Sequence, residues 1–144
     1  MIKFIPASDT LAIRSEVLKA GKLPPEKCSF PADEDEGSFH LGFFVADRLV
    51  SVVSFHHRRN ADREGDGYRL DGMATLAEFR GRGYGNKLIN FASVYLRRRK
   101  ANYIWCKALK AACNFYERVG FAFISEEYDI PEIGPHRDMF FRIQ

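Results

Sequence analysis

The segment from Leu70 to Ile89 constrains the fold of this chain more than any other. An apolar stretch typical of a strand is followed by a loop with glycine at positions 81, 83 and 85, and a helical pattern begins inside that loop. Such a strand–loop–helix unit gathers backbone N–H groups and the positive end of a helix dipole around one small volume. The sequence therefore predicts an anion site here, and phosphate is the anion that suits it.

Two familiar phosphate-binding loops do not fit the spacing. A dinucleotide-binding loop would need a third glycine where Asn86 stands, and a P-loop would need Gly-Lys-Ser/Thr, which the segment lacks. The spacing Arg80-x-x-Gly83-x-Gly85 instead resembles the acetyl-CoA pyrophosphate loop of the GNAT family of N-acetyltransferases. The strand before the loop and the helix after it are also those of that family.

The composition predicts a single domain, residues 1–144, with its own core, since 46% of the residues are hydrophobic. No apolar run approaches the roughly 18 residues that a spanning helix needs, and the first residues lack the apolar stretch of a signal peptide. The three cysteines fit no metal-binding spacing, and their odd number favours a reducing compartment. A net charge of +3 is too small to indicate nucleic-acid binding, although it suits an anionic ligand. We therefore expect a cytoplasmic protein with no metal, no nucleic-acid partner and no membrane partner.

The hydrophobic pattern predicts the element order β-α-β-β-β-α-β-α-β-β. The long irregular segment Lys22–Ser38 is either a solvated surface loop or a lid, a hairpin follows it, and Gly120 suits a left-handed helix C-cap. The first helix would carry Leu11, Val17 and Leu18 on its apolar side. The predicted strands are Met1–Ile5, His40–Ala46, Leu49–Phe55, Tyr68–Leu76, Tyr103–Cys106, Phe121–Tyr128 and Asp138–Ile143, and the predicted helices are 10–20, Gly83–Lys100 and Ala108–Val119.

The resemblance to the GNAT family extends from end to end. It rests on the order of elements, the Arg80 loop and the sequence Asn-Phe-Tyr-Glu-Arg-Val-Gly-Phe at Asn114–Phe121, and the tail Glu126–Met139 resembles a subgroup of small bacterial members. The fold that the resemblance implies is α/β: a mixed, mostly antiparallel central sheet flanked by helices, the acyl-CoA N-acyltransferase fold. Its two central strands splay apart, and the cofactor lies in the gap.

Acetyl-CoA is the co-substrate that the resemblance implies. Successive N–H groups of the glycine loop can converge on pyrophosphate oxygens, and guanidinium groups suit phosphate. By position in the family, the strand backbone at Met73, Ala74 and Thr75 would pair with the pantetheine arm and polarise the acetyl carbonyl. The chain departs from the family at Lys107–Lys110, where many members carry a cofactor-contacting asparagine. The loop residues predicted to hold the pyrophosphate are Arg80, Gly81, Arg82, Gly83, Tyr84, Gly85 and Asn86.

Tyr116 is the candidate general acid. Attack on a thioester expels a thiolate whose conjugate acid has a pKa of about 8.5, so a nearby proton donor assists its departure. The family often carries a tyrosine in the Phe-Tyr-Glu-x-x-Gly-Phe motif, and Tyr116 matches it. The alternative is a core aromatic residue with a satisfied hydroxyl group. Cys113, close by in sequence, is interpreted as a small buried helix residue rather than a nucleophile.

The proton acceptor has three alternatives, because an attacking amine must be neutral and most amines are protonated at pH 7. Asp71 precedes the cofactor-pairing segment and shares a strand face with Met73 and Thr75. His136, in the Gly-Pro-His loop, is the second candidate, and the third alternative is that the enzyme binds the amine already neutral. The pair His56-His57 is excluded as a metal site, since adjacent strand residues point to opposite faces.

These features predict transfer of an acetyl group from acetyl-CoA to a primary amine by direct attack in a ternary complex. The acidic run Asp33–Glu36 favours a cationic acceptor such as a polyamine, an amino sugar or a lysine side chain of a peptide. Acceptor choice would come from Ser29–Phe39, the hairpin and Gly134–Arg137. The alternative function is a non-catalytic acyl-CoA sensor or regulatory module. A homodimer is left open.

Overall fold

The computed structural model describes residues 1–143 and divides them into two compact units. The first unit comprises Met1–His57 and Leu70–Ala92, and the second comprises Arg58–Arg69 and the chain from Ser93 onward. The strands are β1 (Ile2–Ile5), β2 (Phe39–Val45), β3 (Arg48–His56), β4 (Gly67–Thr75), β5 (Tyr103–Leu109), β6 (Ala122–Phe123), β7 (Tyr128–Ile130) and β8 (Gly134–Arg142). The α-helices are α1 (Leu11–Ile13), α2 (Tyr84–Arg98) and α3 (Cys113–Arg118).

In the first unit the strand order is β1-β2-β3-β4, and the first three strands are antiparallel. The predicted hairpin is confirmed, but its two-residue turn lies at Ala46 and Asp47, one residue before the predicted Asp47 and Arg48. The φ angles of Ala46 and Asp47 are 48° and 66°. Positive φ at both turn residues matches the right-handed twist of the flanking strands. Most of β3 is buried, including Val50, Val52, Val53 and Phe55, so this strand carries the core of the unit.

The first predicted helix forms with a different geometry. A 3₁₀ turn (Ala7–Thr10) leads into α1, and a π-helical turn (Arg14–Leu18) follows it. The predicted apolar face was therefore wrong: Leu18 is exposed, and Arg14 is among the buried residues of this segment. A π turn changes the angular spacing of side chains, and Arg14 points inward because it meets a buried carboxylate.

In the second unit β5 pairs in parallel with the first residues of β4, from Gly67↔Tyr103 to Arg69↔Trp105, and antiparallel with β8. Beyond these pairs β4 continues to Thr75 and β5 continues to Leu109. The sheet is thus mixed and mostly antiparallel, as predicted. The α2 helix agrees with its prediction within two residues at its C-terminal end, and Leu88, Ile89, Ala92 and Leu96 are its buried apolar residues.

Three predictions for the C-terminal region were wrong in detail, and the first is that the last strand begins at Gly134 rather than at Asp138. The segment Phe121–Tyr128 is not one strand, because β6 and β7 pair with different parts of β8 and residues 124–127 bend between them. The Ser125 hydroxyl oxygen accepts a hydrogen bond from the Asp138 amide (2.8 Å) and holds this bend. The last helix starts later than predicted, since β5 extends to Leu109, and Gly120 follows it with φ of 109°. Within residues 1–143, no helix has the length and apolarity needed to cross a membrane.

Candidate active site

The glycine loop has the conformation of an anion-binding turn. Gly81 and Gly83 adopt φ angles of 75° and 80°, a region that side chains disfavour. A Cβ atom added at either position would have no heavy atom within 4 Å, so this face of the loop is open. The first bond of α2 runs from the Lys87 amide to the Gly83 carbonyl (3.0 Å). The N–H groups of the first turn have no intrahelical partner, because no helical carbonyl precedes them by four residues, and they lie next to the two glycines.

Arg80 and Arg82 are exposed and are each tethered to the base of this loop. Arg80 donates from Nε to the Thr75 carbonyl (3.2 Å), and Arg82 donates to the Glu78 carbonyl (3.2 Å) while its guanidinium stacks on Phe79 at 5.1 Å. Each of these bonds uses one of the five N–H donors of a guanidinium. The loop therefore combines fixed positive charge with an open backbone.

The strand segment Met73–Thr75 lies just before this loop in β4. Ala74 is only 3% exposed, and its carbonyl oxygen accepts a hydrogen bond from the Ser51 hydroxyl group (3.3 Å). The same hydroxyl oxygen lies 2.7 Å from Oγ1 of Thr75. The parallel register of β4 ends at Arg69, before this segment begins. The position agrees with an added-strand role for Met73–Thr75, and that role stays a prediction.

Asp71 is hydrogen-bonded to the buried His56, for which the sequence predicted no role in the reaction. Its Oδ2 lies 2.7 Å from Nδ1 of His56. The Asp71 side chain is 27% exposed, whereas the His56 side chain is completely buried. The other ring nitrogen of His56, Nε2, lies 2.9 Å from Oδ1 of Asp33. The imidazole is thus held between two carboxylates, one partly exposed and one deeply buried.

Asp33 forms a two-pronged ion pair with Arg14. The N–O distances are 2.7 and 3.0 Å, and the two side chains are 3% and 1% exposed. Burial by itself would raise the pKa of Asp33, but hydrogen bonds from Arg14, the Phe30 amide and His56 lower it from 3.8 to about 2. Asp33 is therefore ionised at neutral pH. Its prediction as part of a surface acidic run was wrong, although Glu34, Asp35 and Glu36 are exposed.

His40 and Ser54 complete this cluster with a consistent set of donors. Arg14 donates to the Ser54 hydroxyl oxygen (2.8 Å), and Ser54 Oγ lies 2.6 Å from Nδ1 of His40. His40 Nε2 lies 3.0 Å from the Asp33 carbonyl oxygen. Burial lowers the pKa of His40, so its ring is neutral, with Nε2 donating and Nδ1 accepting from Ser54.

A glycine in β4 makes room for this cluster. Gly72 has φ of 63°, and a Cβ atom there would lie 2.8 Å from the Phe30 ring and 3.2 Å from Nε of Arg14. The Arg14 guanidinium in turn stacks on Phe30 at 3.9 Å. The cluster therefore packs directly against the strand that carries Asp71. Its members are Arg14, Asp33, His40, Ser54, His56 and Asp71, and we call it the Arg14–Asp71 cluster.

Tyr116 and His136 belong to the second unit. Tyr116 lies on α3 and is buried (8% exposed), with its ring 5.2 Å from the rings of Phe115 and Phe121. His136 lies on β8 and not in a loop, as was predicted, because its backbone pairs with Leu109. It donates from Nδ1 to the Gly134 carbonyl (2.8 Å) and stacks on Tyr128. Burial raises the pKa of the Cys113 thiol, which keeps it protonated and argues against a covalent mechanism.

Known proteins share this architecture over nearly the whole chain. An acyl-CoA N-acyltransferase from Pseudomonas aeruginosa superimposes with a TM-score of 0.73 at 18% identity, covering 98% of each chain. An aminoglycoside 6'-N-acetyltransferase in complex with coenzyme A superimposes with a TM-score of 0.74 at 14% identity, covering 100% of this chain and 97% of the other. The fold is therefore that of the acyl-CoA N-acyltransferases.

Sequence comparison is more specific. Residues 11–121 match the profile of the family described as Acetyltransferase (GNAT) family. The Bacillus subtilis (strain 168) protein named "Uncharacterized N-acetyltransferase YitI" is 36% identical over 140 residues, which are 96% of this chain and 93% of the relative. The chain belongs to the GNAT acetyltransferase family, and the enzyme is an acyltransferase.

Proposed function

We propose that this enzyme transfers the acetyl group of acetyl-CoA to a primary amine by direct attack within a ternary complex. The observation that carries the proposal is the open loop at the start of α2, where Gly81 and Gly83 expose the backbone next to Arg80 and Arg82. Backbone N–H groups at a helix N-terminus together with guanidinium groups suit the pyrophosphate of CoA. A protein of the same fold binds coenzyme A, which supports this assignment.

The proposed reaction gives each candidate residue a role. The amine nitrogen attacks the thioester carbon, and β4 backbone groups near Met73–Thr75 stabilise the tetrahedral oxyanion. Asp71 takes the proton that the amine loses, the carbon–sulfur bond breaks, and Tyr116 protonates the departing thiolate. The products are the N-acetylated amine and free CoA. His136 and a neutral bound amine are the alternatives to Asp71 as the proton acceptor.

The acceptor that we propose is a cationic small molecule or a lysine side chain. The exposed carboxylates of Glu34, Asp35 and Glu36 support this class, since they attract positive charge from solution. Asp33 is not available for this purpose, because it is bonded to Arg14 inside the first unit. Thiol release from acetyl-CoA, measured with polyamines, amino sugars and lysine peptides, tests this class directly.

Replacing Gly83 with valine is expected to reduce CoA affinity at least about tenfold. A β-branched residue disfavours positive φ, and its side chain would occupy the open face where the pyrophosphate approaches. The matched control is Gly21→Val, because Gly21 has a similar φ (73°) and equally open surroundings outside the loop. Calorimetry should show the loss in Gly83→Val alone. Undiminished CoA affinity in Gly83→Val would show that the loop does not bind CoA.

Replacing Asp71 with asparagine is expected to lower kcat/KM for the amine by a factor on the order of 10². It should also abolish the rise of activity with pH that a carboxylate base produces, with little change in CoA affinity. The pH profile of His136→Ala is the comparison. If only that variant loses the rise, the histidine is the base, and if both variants keep it, the enzyme binds the amine already neutral.

A further inference from the structure

The arrangement around His56 determines where its protons lie. Asp33 is ionised and bound to Arg14, so Nε2 of His56, 2.9 Å away, must donate to it. Nδ1 of His56 lies 2.7 Å from the Asp71 carboxylate, and two lone pairs would repel at this distance. A proton therefore lies between these two atoms as well. When it resides on Nδ1, the imidazole is an imidazolium and Asp71 is a carboxylate.

This arrangement leaves the cluster electrically neutral. Arg14 and the His56 imidazolium supply two positive charges, Asp33 and Asp71 supply two negative charges, and the neighbouring His40 is neutral. The four charged groups together carry no net charge. Buried charges are tolerated when each is paired and hydrogen-bonded. Each charged group here has an oppositely charged partner, although Nε of Arg14 bonds to none of the described residues.

Among these four charged side chains, solvent reaches only Asp71. The side-chain exposures are 1% for Arg14, 3% for Asp33, 0% for His56 and 27% for Asp71. An external proton therefore enters through Asp71. Because His56 holds Oδ2 of Asp71, the carboxylate cannot rotate without losing a charge-assisted hydrogen bond, and its orientation is fixed.

We propose that His56, fixed by the Asp33–Arg14 ion pair, is the positioning residue for the Asp71 base. This inference rests on the proposed role of Asp71. His56 keeps its proton on Nδ1 throughout, and the proton that leaves the amine goes to the Asp71 carboxylate and from there to solvent. The buried ion pair thus orients Asp71 through two hydrogen bonds, one between Asp33 and His56 and one between His56 and Asp71.

Two substitutions separate the two hydrogen bonds of His56. Asparagine places its amide nitrogen near the position of Nδ1 and can still donate to Asp71, whereas glutamine places it near Nε2 and can donate only to Asp33. We expect His56→Gln to lower kcat/KM for the amine by roughly 10- to 100-fold, since a misplaced catalytic group costs about this much. His56→Asn should retain most of the activity, and His57→Gln, at the exposed neighbour, should behave as wild type. CoA affinity should be unchanged in all three.

A double-mutant cycle distinguishes positioning from general structural damage. In the Asp71→Asn background, His56→Gln should cause no further loss, because its effect acts through Asp71. An equal loss in both backgrounds, or wild-type activity of His56→Gln while Asp71→Asn is impaired, overturns the inference and leaves the proposed function standing. Full activity of Asp71→Asn overturns the proposed base itself.

One measurement needs no folded variant. Nitrogen NMR of the wild-type protein with ¹⁵N-labelled histidine reports the protonation of each ring nitrogen. We expect one buried histidine with both nitrogens protonated at neutral pH. A spectrum with only neutral buried imidazoles contradicts the proposal, whatever the variants do.

Discussion

Replacing Asp33 with asparagine is expected to lower the free energy of unfolding by about 3–5 kcal/mol, the usual cost of breaking a buried ion pair by removing one partner. The variant is nearly isosteric, but it leaves Arg14 buried at 1% exposure without its carboxylate and removes the anion that faces Nε2 of His56. Urea unfolding at pH 7 measures the change. The control is Glu34→Gln, an exposed carboxylate next in sequence, which should shift stability by less than about 0.5 kcal/mol. Equal midpoints for the two variants would show that the ion pair does not stabilise the fold.

The pH dependence of stability gives an independent check on Asp33. Its pKa is lowered on folding, from 3.8 to about 2, so its contribution is fully present above pH 3.8 and is lost as the pH falls through 2. The shift corresponds to a contribution on the order of 2 kcal/mol. We expect the Asp33→Asn protein to lack this part of the acid destabilisation. A wild-type stability curve that is flat between pH 4 and pH 2 would contradict the assignment.

Replacing Tyr116 with phenylalanine is expected to lower kcat by a factor on the order of 10² or more. The substitution keeps the buried ring against Phe115 and Phe121 and deletes only the hydroxyl group that would protonate the CoA thiolate. CoA affinity should change little. Tyr103→Phe is the matched control, because Tyr103 is also buried in the second unit and its hydroxyl bonds the Arg63 carbonyl. Its loss should affect stability rather than kcat. An unchanged single-turnover rate in Tyr116→Phe would make Tyr116 a core aromatic residue.

The parts of this protein that could be predicted from sequence are those specified by neighbouring residues. The loop at Gly81–Gly85 and the hairpin between β2 and β3 lie within a few residues of their structural causes, and a residue pattern can reveal them, although it placed the hairpin turn one residue too late. Prediction from sequence fails where the local residue pattern conflicts with contacts to residues that are distant in sequence. The π-helical turn at Arg14 and the bend at residues 124–127 depend on contacts with distant side chains, so periodicity gave the wrong face for the first and one strand for the second.

The Arg14–Asp71 cluster could not be predicted for the same reason. Arg14 and Asp33 are 19 residues apart, Asp33 and His56 are 23 apart, and His56 and Asp71 are 15 apart, so no local spacing connects them. The sequence did contain one signal, a histidine at the end of an apolar strand that is followed by a second histidine. It excluded a shared metal, because the two residues face opposite ways, but it did not show which one was buried. Asp33 was hidden among three exposed acidic neighbours.

The place of Asp33 in its loop has a consequence for how enzymes of this kind can diverge. The residue bonded to Arg14 and His56 is followed directly by the exposed carboxylates Glu34, Asp35 and Glu36. One short stretch of chain therefore carries an inward residue of the Arg14–Asp71 cluster and three residues exposed to solvent. Under the proposed function, substitutions at Glu34–Glu36 change the preferred acceptor and leave the contacts of Asp71 in place, so acceptor specificity can change while the chemistry is kept. An enzyme that receives this loop from a relative should remain active as long as the loop retains the aspartate at the position of Asp33.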